Sequence, residues 1–216
     1  MKYNVIEMFN SIEGEGKRQG ELCTFIRFAG CNLKCSYCDT KHAQSADKST
    51  EYTQKEIVNW IKKNALNENI TITGGEPLLQ DIAPLITALH NKDYTINIET
   101  NGSIDIKKEM FRIYSNRLFF TLDYKLPRSK METKMLLKNW QYLRDLDVLK
   151  FVISSNKDLQ RIKELLEQNH LLCHIYLSPV IEKISPVDIV DYMKENNNVF
   201  NRCKLQLQLH KQIGVQ

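Results

Sequence analysis

Three cysteines crowd into eight residues, Cys31-Asn-Leu-Lys-Cys35-Ser-Tyr-Cys38, with the spacing C-x3-C-x2-C. Thiolates are soft ligands that suit zinc or an iron–sulfur cluster. Three protein thiolates cannot fill four metal positions, so in a cubane cluster one iron stays open to a substrate or cofactor. Zinc is the competing reading. Structural zinc wants four ligands, usually as two close pairs. His42 could supply a fourth, yet no second close pair occurs in the sequence. The other three cysteines, Cys23, Cys173 and Cys203, are scattered and read as small core hydrophobes. A reducing compartment disfavours disulfides, which points the crowded trio toward metal chemistry.

Two further polar motifs could meet this loop. Thr73-Gly74-Gly75-Glu76-Pro77 offers glycines that let backbone approach a ligand closely, with a carboxylate beside them. Glu99-Thr100-Asn101-Gly102 puts another carboxylate just before a turn pair.

Each motif follows an apolar, β-branched run. Strands are expected over residues 23–28, 69–73, 94–99, 118–123, 148–154, 174–178 and 203–209. Helices are expected near 54–61, opened by the capping box Thr53-x-x-Glu56, and over 82–90, 132–146, 158–168 and 187–194. Alternating β and α units imply a parallel sheet with right-handed crossovers. The chain has 216 residues, fewer than the roughly 250 of an eight-unit barrel. The expectation is an α/β fold: a partial, open (β/α) barrel of about six or seven mostly parallel strands, in one domain over 1–216. In such folds the site lies at the C-terminal strand ends, where the three motifs fall.

Composition excludes several classes. Hydrophobic residues make up 42% and charged residues 26%, ordinary for a globular protein. No apolar run approaches the roughly 20 residues of a membrane span. Glu7 interrupts the N-terminus where a signal peptide needs an apolar core, so a cytoplasmic location is expected. The net charge of +4 is dispersed. The basic run Lys125, Arg128, Lys130, Lys134 and Lys138 reads as a solvated loop and helix face, because a nucleic-acid stripe would be denser. Direct nucleic-acid binding is not expected.

C-x3-C-x2-C with an aromatic before the last cysteine, here Tyr37, resembles the radical S-adenosylmethionine (SAM) superfamily. The resemblance implies that Cys31, Cys35 and Cys38 hold three irons of a [4Fe–4S] cluster. SAM would chelate the fourth, and one electron would cleave it to a 5′-deoxyadenosyl radical. It also implies SAM contacts from Tyr37, Cys38, Asp39, Gly75 and Glu76, with Glu99 on the ribose hydroxyls.

The frame around the trio is more specific. Ser11-Ile12-Glu13-Gly14-Glu15-Gly16, Phe25-Ile26-Arg27-Phe28-Ala29-Gly30, Asp39-Thr40-Lys41-His42 and Leu207-Gln208-Leu209-His210-Lys211-Gln212-Ile213-Gly214 together resemble the 7-carboxy-7-deazaguanine synthase family. That family converts 6-carboxy-5,6,7,8-tetrahydropterin to 7-carboxy-7-deazaguanine with loss of ammonia. It regenerates SAM, requires magnesium, and serves queuosine and other 7-deazapurine pathways. The resemblance implies substrate contacts from Ile12, Glu13, Gly14, Arg27, Thr73 and the terminal Gln216, and a magnesium ligand at Thr40. It further implies SAM contacts at Asp123, Tyr124 and Lys125, where the family often has Ser-Pro-Lys, and at Ser178-Pro179. His210 matches an active-site position near the substrate. The implied partners are the small pterin, an electron donor such as flavodoxin or ferredoxin, and a second copy in a homodimer. The alternative within the superfamily is an activase that makes a glycyl radical on a protein. A zinc-binding interaction module is the third reading.

Overall fold

A computed structural model of the chain describes residues 1–107 and 115–215. Its frame is a nine-stranded sheet in the order β3-β1-β2-β4-β5-β6-β7-β8-β9. Seven strands run parallel: β2 (Leu22–Phe28), β4 (Asn69–Gly74), β5 (Thr95–Thr100), β6 (Leu118–Tyr124), β7 (Val148–Ile153), β8 (His174–Pro179) and β9 (Cys203–Leu205). They are the seven apolar runs of the sequence. β9 does not pair with β3, so the sheet stays open.

Two strands had no forecast. β1 (Lys2–Ile12) runs antiparallel to β2, and β3 (Thr50–Thr53) antiparallel to β1. β1 carries Asn4, Glu7, Asn10 and Ser11, which dilute a strand signal. It is held by the register of its partner, which local propensity does not report.

The parallel strands alternate. Ile70, Ile72, Ile96, Ile98, Phe120, Leu122, Leu149 and Phe151 are buried in the main apolar core. So are residues of α1 (Gln54–Asn64), α2 (Ala83–His90), α3 (Asn156–Gln168) and α4 (Pro186–Glu195), such as Ile57, Leu85, Ile162 and Ile189. The intervening Thr71, Thr73, Glu99, Thr121, Asp123 and Lys150 are polar. Parallel strands covered on both faces are usually apolar on both. Here the inner face bounds a polar cavity, so period two persists.

Two segments differ from expectation. Residues 132–146 form two short 3-10 stretches, Glu132–Lys134 and Leu137–Tyr142, and no α-helix. Buried Asn139 explains the change: its amide donates to the carbonyls of Gly102 (3.1 Å) and Ile104 (2.7 Å), and its Oδ1 accepts the Ile106 N–H (3.2 Å). Those tertiary bonds pin the segment against the loop after β5 and draw Trp140 into the core. A short helix, α5 (Asn197–Phe200), precedes the last strand, which stops at Leu205 rather than 209, and another, α6 (Leu209–Ile213), follows it. Gln206 causes the break, because its amide turns to the Gly16 N–H (2.6 Å) and carbonyl (2.9 Å).

Candidate active site

A cavity of about 760 Å³ opens at the C-terminal ends of the parallel strands. Cys31, Cys35 and Cys38 all line it. The loop bearing them is tied down on two sides. Asn32 donates to Ser103 (2.8 Å), and Ser36 donates through its N–H to Ser129 O (3.2 Å) and through its hydroxyl to Arg128 O (2.8 Å). Cys31 Sγ accepts the Leu33 N–H at 3.4 Å and the Asn101 amide at 3.9 Å. Burial pushes the Cys35 thiol up to about 11 and raises that of Cys31, so metal binding must displace their protons. All three cysteines are free thiols. Among the described residues no three His, Cys, Asp or Glu side chains converge on a single-ion site. Three thiols lining one cavity, with N–H donors on the Cys31 sulfur, leave one metal position open to a small ligand, as a cubane cluster requires.

The glycine turn packs directly against the backbone of the cysteine loop. A Cβ on Gly75 would stand 2.2 Å from the Gly30 carbonyl oxygen, so only glycine lets the chain pass beside the cysteine loop there. Gly75 lines the cavity, as do Tyr37, Asp39, Thr40, Glu99, Asp123 and Lys125. Thr40 donates to Asp39 Oδ1 at 3.2 Å, placing two hard oxygen donors together. Burial raises the Asp39 carboxyl, but the hydrogen bond and charge of Lys211 outweigh it and bring Asp39 down to about 2.

Four residues expected to contact SAM do not line this cavity. Glu76 is fully buried below the turn and does not line the cavity. Its carboxylate accepts the N–H of Leu78 (3.0 Å), the N–H of Asn101 (2.7 Å) and the Thr100 hydroxyl (2.9 Å), so it fastens the glycine turn to the end of β5. Tyr124 points the other way from Asp123, into an aromatic cluster with Trp140 and Phe151, because strand residues alternate. Ser178 and Pro179 are buried within β8, and the cavity wall begins with Val180 and Ile181.

On the substrate side, Ile12, Gly14, Arg27, Thr73 and His210 line the cavity. Gly14 and His210 are pressed together: a Cβ at Gly14 would fall 1.7 Å from His210 Nδ1. Burial lowers the His210 pKa, favouring neutral imidazole. Glu13 also lines the cavity, but its carboxylate is already paired. It is 1% exposed and accepts from Arg18 Nη2 at 2.8 Å and from the Thr71 hydroxyl. Gln216 lies outside the described residues.

Sequence reasoning missed Glu15, Lys150 and Arg18. Lys150 forms ion pairs with Glu15 and, at 3.4 Å, with Asp123. Burial works against its charge, but Glu15, Asp123 and Glu99 hold its pKa well above the ordinary value. Glu15 Oε2 and Asp123 Oδ1 remain buried acceptors without a partner among the described residues. Unpaired buried acceptors in a cavity wall mark places where a ligand's N–H or O–H groups belong. Glu99 accepts the Thr73 hydroxyl at 2.8 Å. Its carboxyl is pushed up to about 7 by burial and the Glu13 and Glu15 charges, which Lys150 only partly offsets. The signal was a polar residue at every second position of apolar strands, with Glu15 inside a loop already under suspicion.

Comparison with known proteins agrees with this site. The model of the radical SAM superfamily matches residues 25–146, so the class is a radical SAM protein. A 7-carboxy-7-deazaguanine synthase from Clostridium acetobutylicum is 48% identical, over 98% of this chain and 96% of its own length. One from Leptospira interrogans is 32% identical over 99% of this chain and 96% of its own length. The chain belongs to the 7-carboxy-7-deazaguanine synthase family of radical SAM enzymes. In fold it is similar to the crystal structure of QueE from Escherichia coli, with a TM-score of 0.75, 24% identity, and 95% and 94% of the two chains covered.

Proposed function

We propose that the protein converts 6-carboxy-5,6,7,8-tetrahydropterin to 7-carboxy-7-deazaguanine with loss of ammonia, in queuosine-type biosynthesis. The carrying observation is one cavity that joins the three thiols to the Arg27 guanidinium and the orphaned Glu15 oxygen. The substrate is an anion with a carboxylate at one end and guanidine-like N–H groups at the other.

When bound, the cluster and SAM supply the hydrogen-abstracting radical, which is cofactor chemistry. The chain's residues orient and shield. Arg27 offers a planar fork to the substrate carboxylate. Glu15 Oε2 accepts from the pterin N–H edge, with Lys150 fixing its other oxygen. The buried Arg18 guanidinium balances the Glu13 charge on the substrate side of the cavity. His210 and the α6 segment cover the Gly14 side. Gly75 and the wall at Tyr37, Val180 and Ile181 suit SAM, and Asp123 with Lys125, paired at 2.9 Å, lies on the same side. Thr40 is the proposed magnesium ligand, completed by waters and substrate oxygens. A cytoplasmic setting, a flavodoxin or ferredoxin reductant and a homodimer complete the reading. Among the described residues no helix is long and apolar enough to cross a membrane.

The test is anaerobic turnover of reconstituted protein with SAM, reductant, magnesium and the carboxy-tetrahydropterin. Deazaguanine product is expected. SAM cleavage without it would reject the substrate assignment while sparing the radical chemistry.

A further inference from the structure

We infer that Glu7 is the positioning residue for substrate-carboxylate recognition, brought to that task by a β-bulge at Ile6. The inference rests on the proposed reaction and extends it to a residue behind the cavity wall.

β1 and β2 pair from Val5↔Phe28 onward, but the register slips between Val5 and Glu7. Beyond the slip Glu7 faces Arg27, Met8 faces Ile26 and Phe9 faces Phe25. Without the extra residue, Ile6 would face Arg27 and Glu7 would face Ile26, which is fully buried in the core. A one-residue slip moves every later side chain to the other face, and bulges re-aim side chains in this way. Here the bulge keeps Met8 packed against the core and moves Glu7 and Phe9 to the face that carries Arg27.

The outcome is a two-point mount with a backing ring. Glu7 Oε1 accepts Arg27 Nε at 2.7 Å. The Phe9 ring lies 5.7 Å from Arg27 Cζ. Phe9 in turn stacks on Phe25, with centroids 5.0 Å apart and planes within 8°. Fixing Nε and the guanidinium plane leaves rotation nowhere to go. Among the described residues neither Nη group of Arg27 makes a hydrogen bond, and Arg27 lines the cavity. Its two Nη donors therefore present a preset fork, the geometry that binds a carboxylate bidentately. Glu7 itself does not line the cavity, so it acts through Arg27. His42 Nε2 stands 3.6 Å from the same Glu7 oxygen.

The test compares two ligands on cluster-loaded protein with SAM and no reductant: the carboxy-tetrahydropterin and the same tetrahydropterin without its carboxyl. Dissociation constants are measured anaerobically for wild type, Glu7→Gln, Phe9→Leu and Arg27→Ala. Wild type prefers the carboxylated ligand, and Arg27→Ala loses that preference. Glu7→Gln is expected to cut the preference by about tenfold while changing affinity for the carboxyl-free ligand by less than about twofold. Phe9→Leu gives a smaller cut of the same kind. Equal weakening of both ligands in Glu7→Gln would make Glu7 merely structural and overturn the inference, as would an unchanged preference. A wild type with no preference would sink the proposed substrate, and this inference with it. Iron content and SAM affinity, unchanged across the variants, separate these outcomes from misfolding.

Discussion

Arg27 commits Nε to Glu7 and presents its other nitrogens to the cavity. Arg27→Ala removes a charge-assisted pair and should weaken carboxypterin binding by about 2 kcal/mol, roughly thirtyfold. SAM cleavage without substrate should continue, because the thiols and the glycine turn are untouched; parallel loss of both activities would contradict the assignment. Glu99 provides a pH-dependent case. Its folded pKa, pushed up to about 7, exceeds the ordinary carboxylate value, so the folded state binds its proton more tightly. The stability it contributes is complete below about pH 4.5 and is lost as pH rises through about 7. Glu99→Gln should match wild type in denaturation midpoint at pH 4.5 and exceed it at pH 8. A constant offset between the two proteins would show that Glu99 ionises normally.

Among the elements, α1 was the most legible. Thr53 Oγ1 accepts the Glu56 N–H at 3.2 Å, and Glu56 returns the bond to the Thr53 N–H at 2.7 Å. Thr53→Ala should cost about 1 kcal/mol of stability, read by chemical denaturation, with SAM cleavage unchanged. The segment 132–146 departs from its helical pattern for the opposite reason: Asn139 has better partners outside the segment. β1 was invisible because half its residues are polar for a purpose. Glu7 bonds to Arg27 at 2.7 Å, and Asn10 to the Asn64 carbonyl at 2.8 Å.

Across the whole molecule, the two ends of the chain meet over the cavity. The Leu209 N–H donates to the Gly14 carbonyl at 2.8 Å, and Gln206 clasps Gly16. Gly14→Ala should drive His210 and α6 away, raising the substrate KM by about tenfold or more and increasing uncoupled SAM cleavage. His210→Ala in the same chain should restore part of the loss by making room for the methyl group. Additive defects in the double variant would mean that the crowding is not the cause.

The sequence by itself determined the radical-generating class, the seven parallel strands and the side of the sheet on which chemistry occurs. Those are local matters: cysteine spacing, β-branched runs, and glycines at strand ends. The tertiary structure decided which polar groups meet. Glu76 went beneath the turn, Glu13 went to Arg18, and Glu15 went to Lys150, 135 residues away. A carboxylate carries no mark in the sequence of the partner it will find. That choice depends on strand register and on the curvature of a sheet whose inner face must pair, or offer to a ligand, every charge it buries.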